Sequence, residues 1–198
     1  MSHTRPPVRA TTILAVLRDG RLAVAGDGQV TVGDTVLKHK AVKIRSLYQD
    51  QVLAGFAGAV ADALTLFDKF EGQLETYHGN LRRAAVELAK QWRTDRYLRP
   101  LEAQLLVGDS EQILLINGDG DVIEPDERVA AIGSGGDFAL AAAQALLAHT
   151  DLASDQIAEA SMRIASNLCI YTNEHITMQT IEPDSADDGR TEGRATGD

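Results

Sequence analysis

Thr11 follows Ala10 and opens the apolar run Thr12-Ile13-Leu14-Ala15-Val16. A threonine in mid-chain is a poor nucleophile, because nothing on the residue takes its hydroxyl proton. If the chain is cut after Ala10, the same residue carries a free α-amine beside its hydroxyl. Such an amine titrates at about pH 7.7 to 8.0 and can serve as general base while the hydroxyl attacks a carbonyl. Taken alone, Thr-Thr at the head of this run is more simply the mark of a β-strand, so the chemistry has to be supported further along. Gly26-Asp27-Gly28-Gln29 is a turn that also places a carboxylate at a strand end, close to the start of the paired strand. Lys43, within Val42-Lys43-Ile44, points either outward to water or inward to a carboxylate. Ala54-Gly55-Phe56-Ala57-Gly58 lets backbone approach backbone, or lets an N–H reach a ligand. Gly133-Ser134-Gly135-Gly136, just ahead of a helix, either presents N–H groups to an anion or makes a tight helix entry.

These residues need elements to hold them. Residues 11–18 and 21–25 read as a hairpin turning at Asp19-Gly20, and 42–47 with 51–56 as a second hairpin. Val60, Ala63, Phe67, Phe70 and Leu74 recur at helical spacing and predict a helix over 59–77. A second helix follows from Leu81, with Asn80 as its cap and Pro100 as its far bound. The period then returns to two, giving short strands at 103–107, 112–116, 122–124 and 129–132. Asp119 and Asp121 belong to a hairpin turn rather than a calcium loop, since the remaining ligand positions are missing. Helices over 137–149 and 155–168 and a last strand over 175–181 complete the order. This order predicts an α+β fold of two stacked antiparallel sheets with helices on both outer sides. Residues 1–10 read as a flexible leader, 11–182 as one domain, and 183–198 as a disordered acidic tail.

The chain has 198 residues and a formal net charge of -10, which argues against general nucleic-acid binding. Arg82, Arg83, Lys90, Arg93, Arg96 and Arg99 form a local basic stretch, read as a solvated face or a subunit contact. Cys169 is the single cysteine, so an intrachain disulfide is impossible and a reducing, cytoplasmic setting is expected. There is no secretory signal pattern and no apolar run of membrane-spanning length. The nucleophile elbow of the α/β-hydrolases fails at Ile132, and no Walker A motif is present.

In combination, Thr-Thr-Ile at 11–13, Gly-Asp-Gly-Gln at 26–29, Lys43, Ala-Gly-Phe-Ala-Gly at 54–58, Trp-Arg-Thr-Asp at 92–95, Ile-Gly-Ser-Gly-Gly at 132–136 and Cys-Ile-Tyr-Thr-Asn at 169–173 resemble the HslV family. These are the proteasome-related peptidase subunits of bacterial ATP-dependent proteases. The resemblance runs over about residues 11 to 181 and implies a four-layer αββα sandwich of the N-terminal-nucleophile hydrolase class, in two stacked hexameric rings. It implies Thr11 as nucleophile and base, Lys43 beside it, Asp27 pairing with Lys43, the Gly55 N–H as oxyanion donor, and Ser134 near the Thr11 amine. It also implies a monovalent cation, usually sodium, held by the backbone carbonyls of Ser166, Cys169 and Thr172. ATP dependence would come from a hexameric HslU-type AAA+ unfoldase that delivers polypeptide substrates, with no ATP site on this chain. An amidase acting on small amides and a non-catalytic ring subunit are the alternatives. Two departures stand out: a ten-residue leader where many members carry only the initiator methionine, and a longer acidic tail. Intact mass of the active protein is therefore expected to begin at Thr11; an active enzyme retaining residues 1–10 would contradict the mechanism.

Overall fold

The computed structural model describes residues 8, 9, 11–58, 60–95, 98, 103–117 and 119–183. Ala10, Arg96, Arg99, Pro100 and the expected acidic tail from 184 onward lie outside the described residues.

Two sheets stack face to face. One has four strands in the order β11 (Val129–Gly133), β2 (Thr12–Arg18), β3 (Arg21–Gly26), β12 (Thr177–Ile181). The other has five, in the order β10 (Val122–Ile123), β9 (Ile113–Asn117), β8 (Gln104–Gly108), β7 (Val52–Ala57), β6 (Ile44–Leu47). All of these pairings are antiparallel. Helices α1 (Val60–Thr76) and α2 (Leu81–Thr94) cover the five-stranded sheet, and α3 (Gly136–His149) and α4 (Ser154–Leu168) cover the other. The expected four-layer αββα sandwich is therefore the observed fold.

Strand β2 shows how the pattern of the sequence builds the layers. Being central, it is buried on both faces, and its side chains alternate between two apolar clusters. Ile13, Ala15 and Leu17 enter the layer between the sheets, with Leu22 and Val24 of β3. Leu14 and Val16 enter the layer under α3 and α4, with Ala23 and Ala25. On the other side, Leu81, Ala84, Ala85, Leu88, Ala89 and Trp92 present one face of α2 to the third cluster. Each fully buried large side chain contributes about 1.5–3 kcal/mol. Close approach of the sheets depends on Gly55: a Cβ there would lie 2.5 Å from Cγ2 of Ile13.

Local signals were honoured where they were strong. The β2–β3 hairpin turns on Asp19 and Gly20, both at positive φ, as an Asp-Gly turn requires. Asn80 caps α2 by accepting from the Arg83 backbone N–H at 2.9 Å. Asn117 accepts from the N–H groups of Asp119 and Asp121, so that segment is a hairpin. Arg82 pairs with Glu124, while Arg83 and Lys90 pair with Glu87, so three residues of the basic stretch are engaged in ion pairs within the chain.

Three features depart from the sequence reading. Strands β4 (Val30–Val32) and β5 (Thr35–Lys38) occupy a stretch left without elements. Within the expected flexible leader, Val8–Arg9 form β1 and pair antiparallel with β4, Val8 opposite Val32 and Arg9 opposite Thr31. Lys43 lies one residue ahead of β6, not inside a strand. Among the described residues, no helix is long and apolar enough to cross a membrane.

Candidate active site

Asp27 follows directly on β3, and its backbone N–H donates to the Thr12 carbonyl at 3.1 Å, which turns its side chain into the protein beside the head of β2. There the carboxylate is fully buried and receives four donors. Oδ1 accepts from the Thr12 N–H and from Lys43 Nζ, each at 2.8 Å. Oδ2 accepts from the Gln29 N–H at 2.9 Å and the Asn173 N–H at 3.3 Å. A carboxylate removed from water has to be satisfied in this way or it would not stay charged.

Lys43 is 5% exposed, so of the two directions open in the sequence the side chain takes the inward one. Its ammonium donates to Asp27 and, at 2.7 Å, to the Gln29 carbonyl. Burial pushes the Lys43 ammonium below the usual lysine value near 10.5, and the neighbouring Asp27 opposes that shift through its charge and its hydrogen bond. Burial wins, so the ammonium loses its proton at lower pH than an exposed lysine would.

Thr11 is 2% exposed, and its carbonyl accepts from the Ser134 backbone N–H at 2.9 Å. The described contact between Ser134 and Thr11 is thus through backbone. Gly55, on β7, packs against Ile13, two residues from Thr11. The structure thereby brings Thr11, Asp27, Lys43 and the Ser134 turn together around the head of β2, with Gly55 on the facing sheet.

Ser166 lies in the last turn of α4, Cys169 at its cap, and Thr172 in the connection to β12. The Thr172 N–H donates to the Cys169 carbonyl at 3.0 Å. Ser166 uses its hydroxyl on the Arg163 carbonyl, whereas the Thr172 hydroxyl lies 2.7 Å from Thr12 Oγ1. Cys169 is buried and unpaired.

Sequence reasoning missed Gln29 and Asn173. Gln29 receives the lysine on its carbonyl and sends its side-chain amide to Thr31 and to the Ile170 carbonyl. Asn173 accepts from the Gly28 N–H at 3.1 Å and donates to the His39 carbonyl at 2.9 Å, clamping the two loops that carry Asp27 and Lys43. Both residues stood inside quoted motifs, but a bond across 146 positions, like that from Asn173 to Asp27, leaves no local signal.

The chain matches the proteasome subunit family over residues 8–181. It is 56% identical over 182 residues to the ATP-dependent protease subunit HslV of Chlorobium luteolum, covering 91% of this chain and all of that one. Among solved structures, HslV of Trypanosoma brucei superposes with a TM-score of 0.83 at 46% identity, over 86% of this chain and 99% of that one. BPH of Thiobacillus denitrificans, in a complex with epoxomicin, superposes at 0.70 with 21% identity over 88% of this chain and 100% of that one, a likeness of fold alone.

Since burial lowers the affinity of Lys43 for its proton, a reaction that needs the charged ammonium should lose rate on the alkaline side before the ordinary lysine range near 10.5 is reached. A kcat–pH profile for peptide hydrolysis checks this; a flat profile up to that value would refute it.

Proposed function

The chain belongs to the proteasome subunit family, among its HslV members, as a threonine-type peptidase of an ATP-dependent protease, and from that premise we propose that Thr11 is its nucleophile once the Ala10–Thr11 bond is cut. The observation that carries this reading is the buried Asp27–Lys43 pair at the head of the strand that begins beside Thr11.

In the mature site, Thr11 Oγ attacks the substrate carbonyl carbon and its proton passes to the Thr11 α-amine. Lys43 has three N–H donors, of which Asp27 and Gln29 take two, which leaves a third that can serve the nucleophile. Its positive charge favours the neutral, proton-accepting form of the amine and lowers the cost of the developing alkoxide. The Gly55 N–H donates to the tetrahedral oxyanion, a kind of contact whose loss costs about 2.7–4 kcal/mol in other enzymes. Collapse breaks the C–N bond, the departing amine takes the proton from the α-amine, and water then hydrolyses the Thr11 ester. Ser134, held beside Thr11 by its backbone, assists the proton shuttle.

The leader is removed by the same hydroxyl. Thr11 Oγ attacks the Ala10 carbonyl, the acyl group moves from nitrogen to oxygen and so frees the α-amine, and water then hydrolyses the resulting ester, releasing the leader as a carboxylate and restoring the hydroxyl. Two features support self-cleavage. Pairing of Val8–Arg9 with β4 docks the segment just before the scissile bond. Thr11 also has φ of 153°, a sparsely populated value for a β-branched residue, and this torsion ceases to exist when the bond is cut.

The carbonyls of Ser166, Cys169 and Thr172 are proposed to hold sodium or another monovalent cation. They sit at and beyond the C-terminus of α4, where helix carbonyls lack intrahelical partners and carry partial negative charge, a donor set suited to a hard cation. The cation would brace the connection from α4 to β12. The assembly proposed is two stacked hexameric rings, served in the cytoplasm by an HslU-type AAA+ unfoldase that feeds unfolded polypeptides. Phe138, Ile164, Leu168 and Ile170, large apolar residues left exposed on α3, α4 and the loop after it, support self-association.

Thr11→Ala should abolish cleavage of a fluorogenic peptide, and Lys43→Ala should lower kcat by at least about 10²-fold, with assembly retained by sedimentation. Full activity in either assembled variant would defeat the mechanism.

A further inference from the structure

Thr11 is placed largely through its neighbour. Thr12 is completely buried, and four hydrogen bonds converge on it. Its N–H donates to Asp27 Oδ1 at 2.8 Å, and its carbonyl accepts from the Asp27 N–H at 3.1 Å. Its hydroxyl oxygen accepts from the Gly135 N–H at 2.9 Å. The same oxygen lies 2.7 Å from Thr172 Oγ1, a hydroxyl–hydroxyl bond spanning 160 residues of sequence. The first three tie the head of β2 to the carboxylate and to the turn that holds the Thr11 carbonyl. The fourth ties it to the connection between α4 and β12.

The packing around this bond leaves little slack. A Cβ on Gly135 would collide with Thr12 Oγ1 and would lie only 2.5 Å from Thr172 Oγ1, so the turn, the strand and the connection meet at a point where only glycine fits. Thr172 is 4% exposed. A hydroxyl has one proton and two acceptor sites, so Thr12 Oγ1, engaged by Gly135 and Thr172 together, is held in one orientation. The next residue, Asn173, reaches Asp27 Oδ2, so two consecutive residues grip both sides of the cluster.

We propose that Thr172 is a positioning residue for peptide hydrolysis: its side-chain hydroxyl fixes Thr12 and the Gly135 turn, and through them the distance from Thr11 to Lys43. The inference rests on Thr11 being the nucleophile, and it concerns the Thr172 side chain, separate from the backbone carbonyl assigned to the cation. Valine in its place keeps the volume and that carbonyl while removing the hydroxyl. The freed Thr12 hydroxyl then relaxes, and an error of about 1 Å at the reacting atoms costs on the order of 10²-fold in rate.

The test is steady-state hydrolysis of a fluorogenic peptide by the assembled, processed protein. Thr172→Val should lower kcat by about tenfold or more with KM within about twofold, and Thr172→Ser, which keeps the hydroxyl, should return kcat to within about threefold of the parent. A kcat for Thr172→Val within twofold of the parent, or a Thr172→Ser variant as slow as Thr172→Val, would overturn the proposal. If the valine variant does not assemble, Thr172→Ser against Thr172→Ala makes the same comparison: about a tenfold difference in kcat supports the role, and equal values reject it. Peptide cleavage by Thr11→Ala would sink the nucleophile assignment itself, an outcome separate from any result at Thr172.

Discussion

A lysine and an aspartate taken out of water together constrain everything around them. Removing an ion from solvent costs several kcal/mol even after relaxation, and mutual attraction offsets this only when the remaining donors and acceptors are also satisfied. Asp27 meets that condition with donors from β2, from its own loop, from the connection after α4 and from Lys43. Four separate segments must therefore arrive at one point, and the sandwich is what brings them there. The β2–β3 register sets Ile13 opposite Gly26, which leaves Asp27 beside Thr12, and the inward turn before β6 supplies the lysine.

The same burial that holds the pair in place tunes it. Desolvation weakens the hold of Lys43 on its proton and Asp27 strengthens it, with burial the larger influence. The group therefore gives up its proton more readily than a surface lysine would. The described bonds of Thr12 run to Asp27, Gly135 and Thr172, none of which belongs to the leader, so the proposed cut before Thr11 would leave them in place.

Much of this was legible in the sequence. Asp19-Gly20 announced the first hairpin, the spacing of Leu81, Ala85, Leu88 and Trp92 announced α2, and Asn80 announced its cap. The motifs carried by Asp27, Lys43 and Gly55 singled out those residues, although sequence left the direction of Lys43 open because a period-two pattern cannot say whether a flanking lysine has a buried partner. Strands β4 and β5 stayed hidden because they are three and four residues long, and β5 is exposed throughout, giving no alternation to read. Val8–Arg9 escaped for a related reason: two residues become a strand only because β4 offers an edge. Gln29, Thr172 and Asn173 act through bonds to residues far away in the chain, and such bonds leave no periodicity behind.

The account depends on a charged lysine held at the nucleophile by one carboxylate. Its most direct test is the kcat of assembled Asp27→Asn at neutral pH, a change that keeps the shape of the side chain and removes its charge. Loss of the counter-ion should let burial strip Lys43 of its proton, and kcat should fall by about 10²-fold or more. An assembled variant within twofold of the parent would contradict the account.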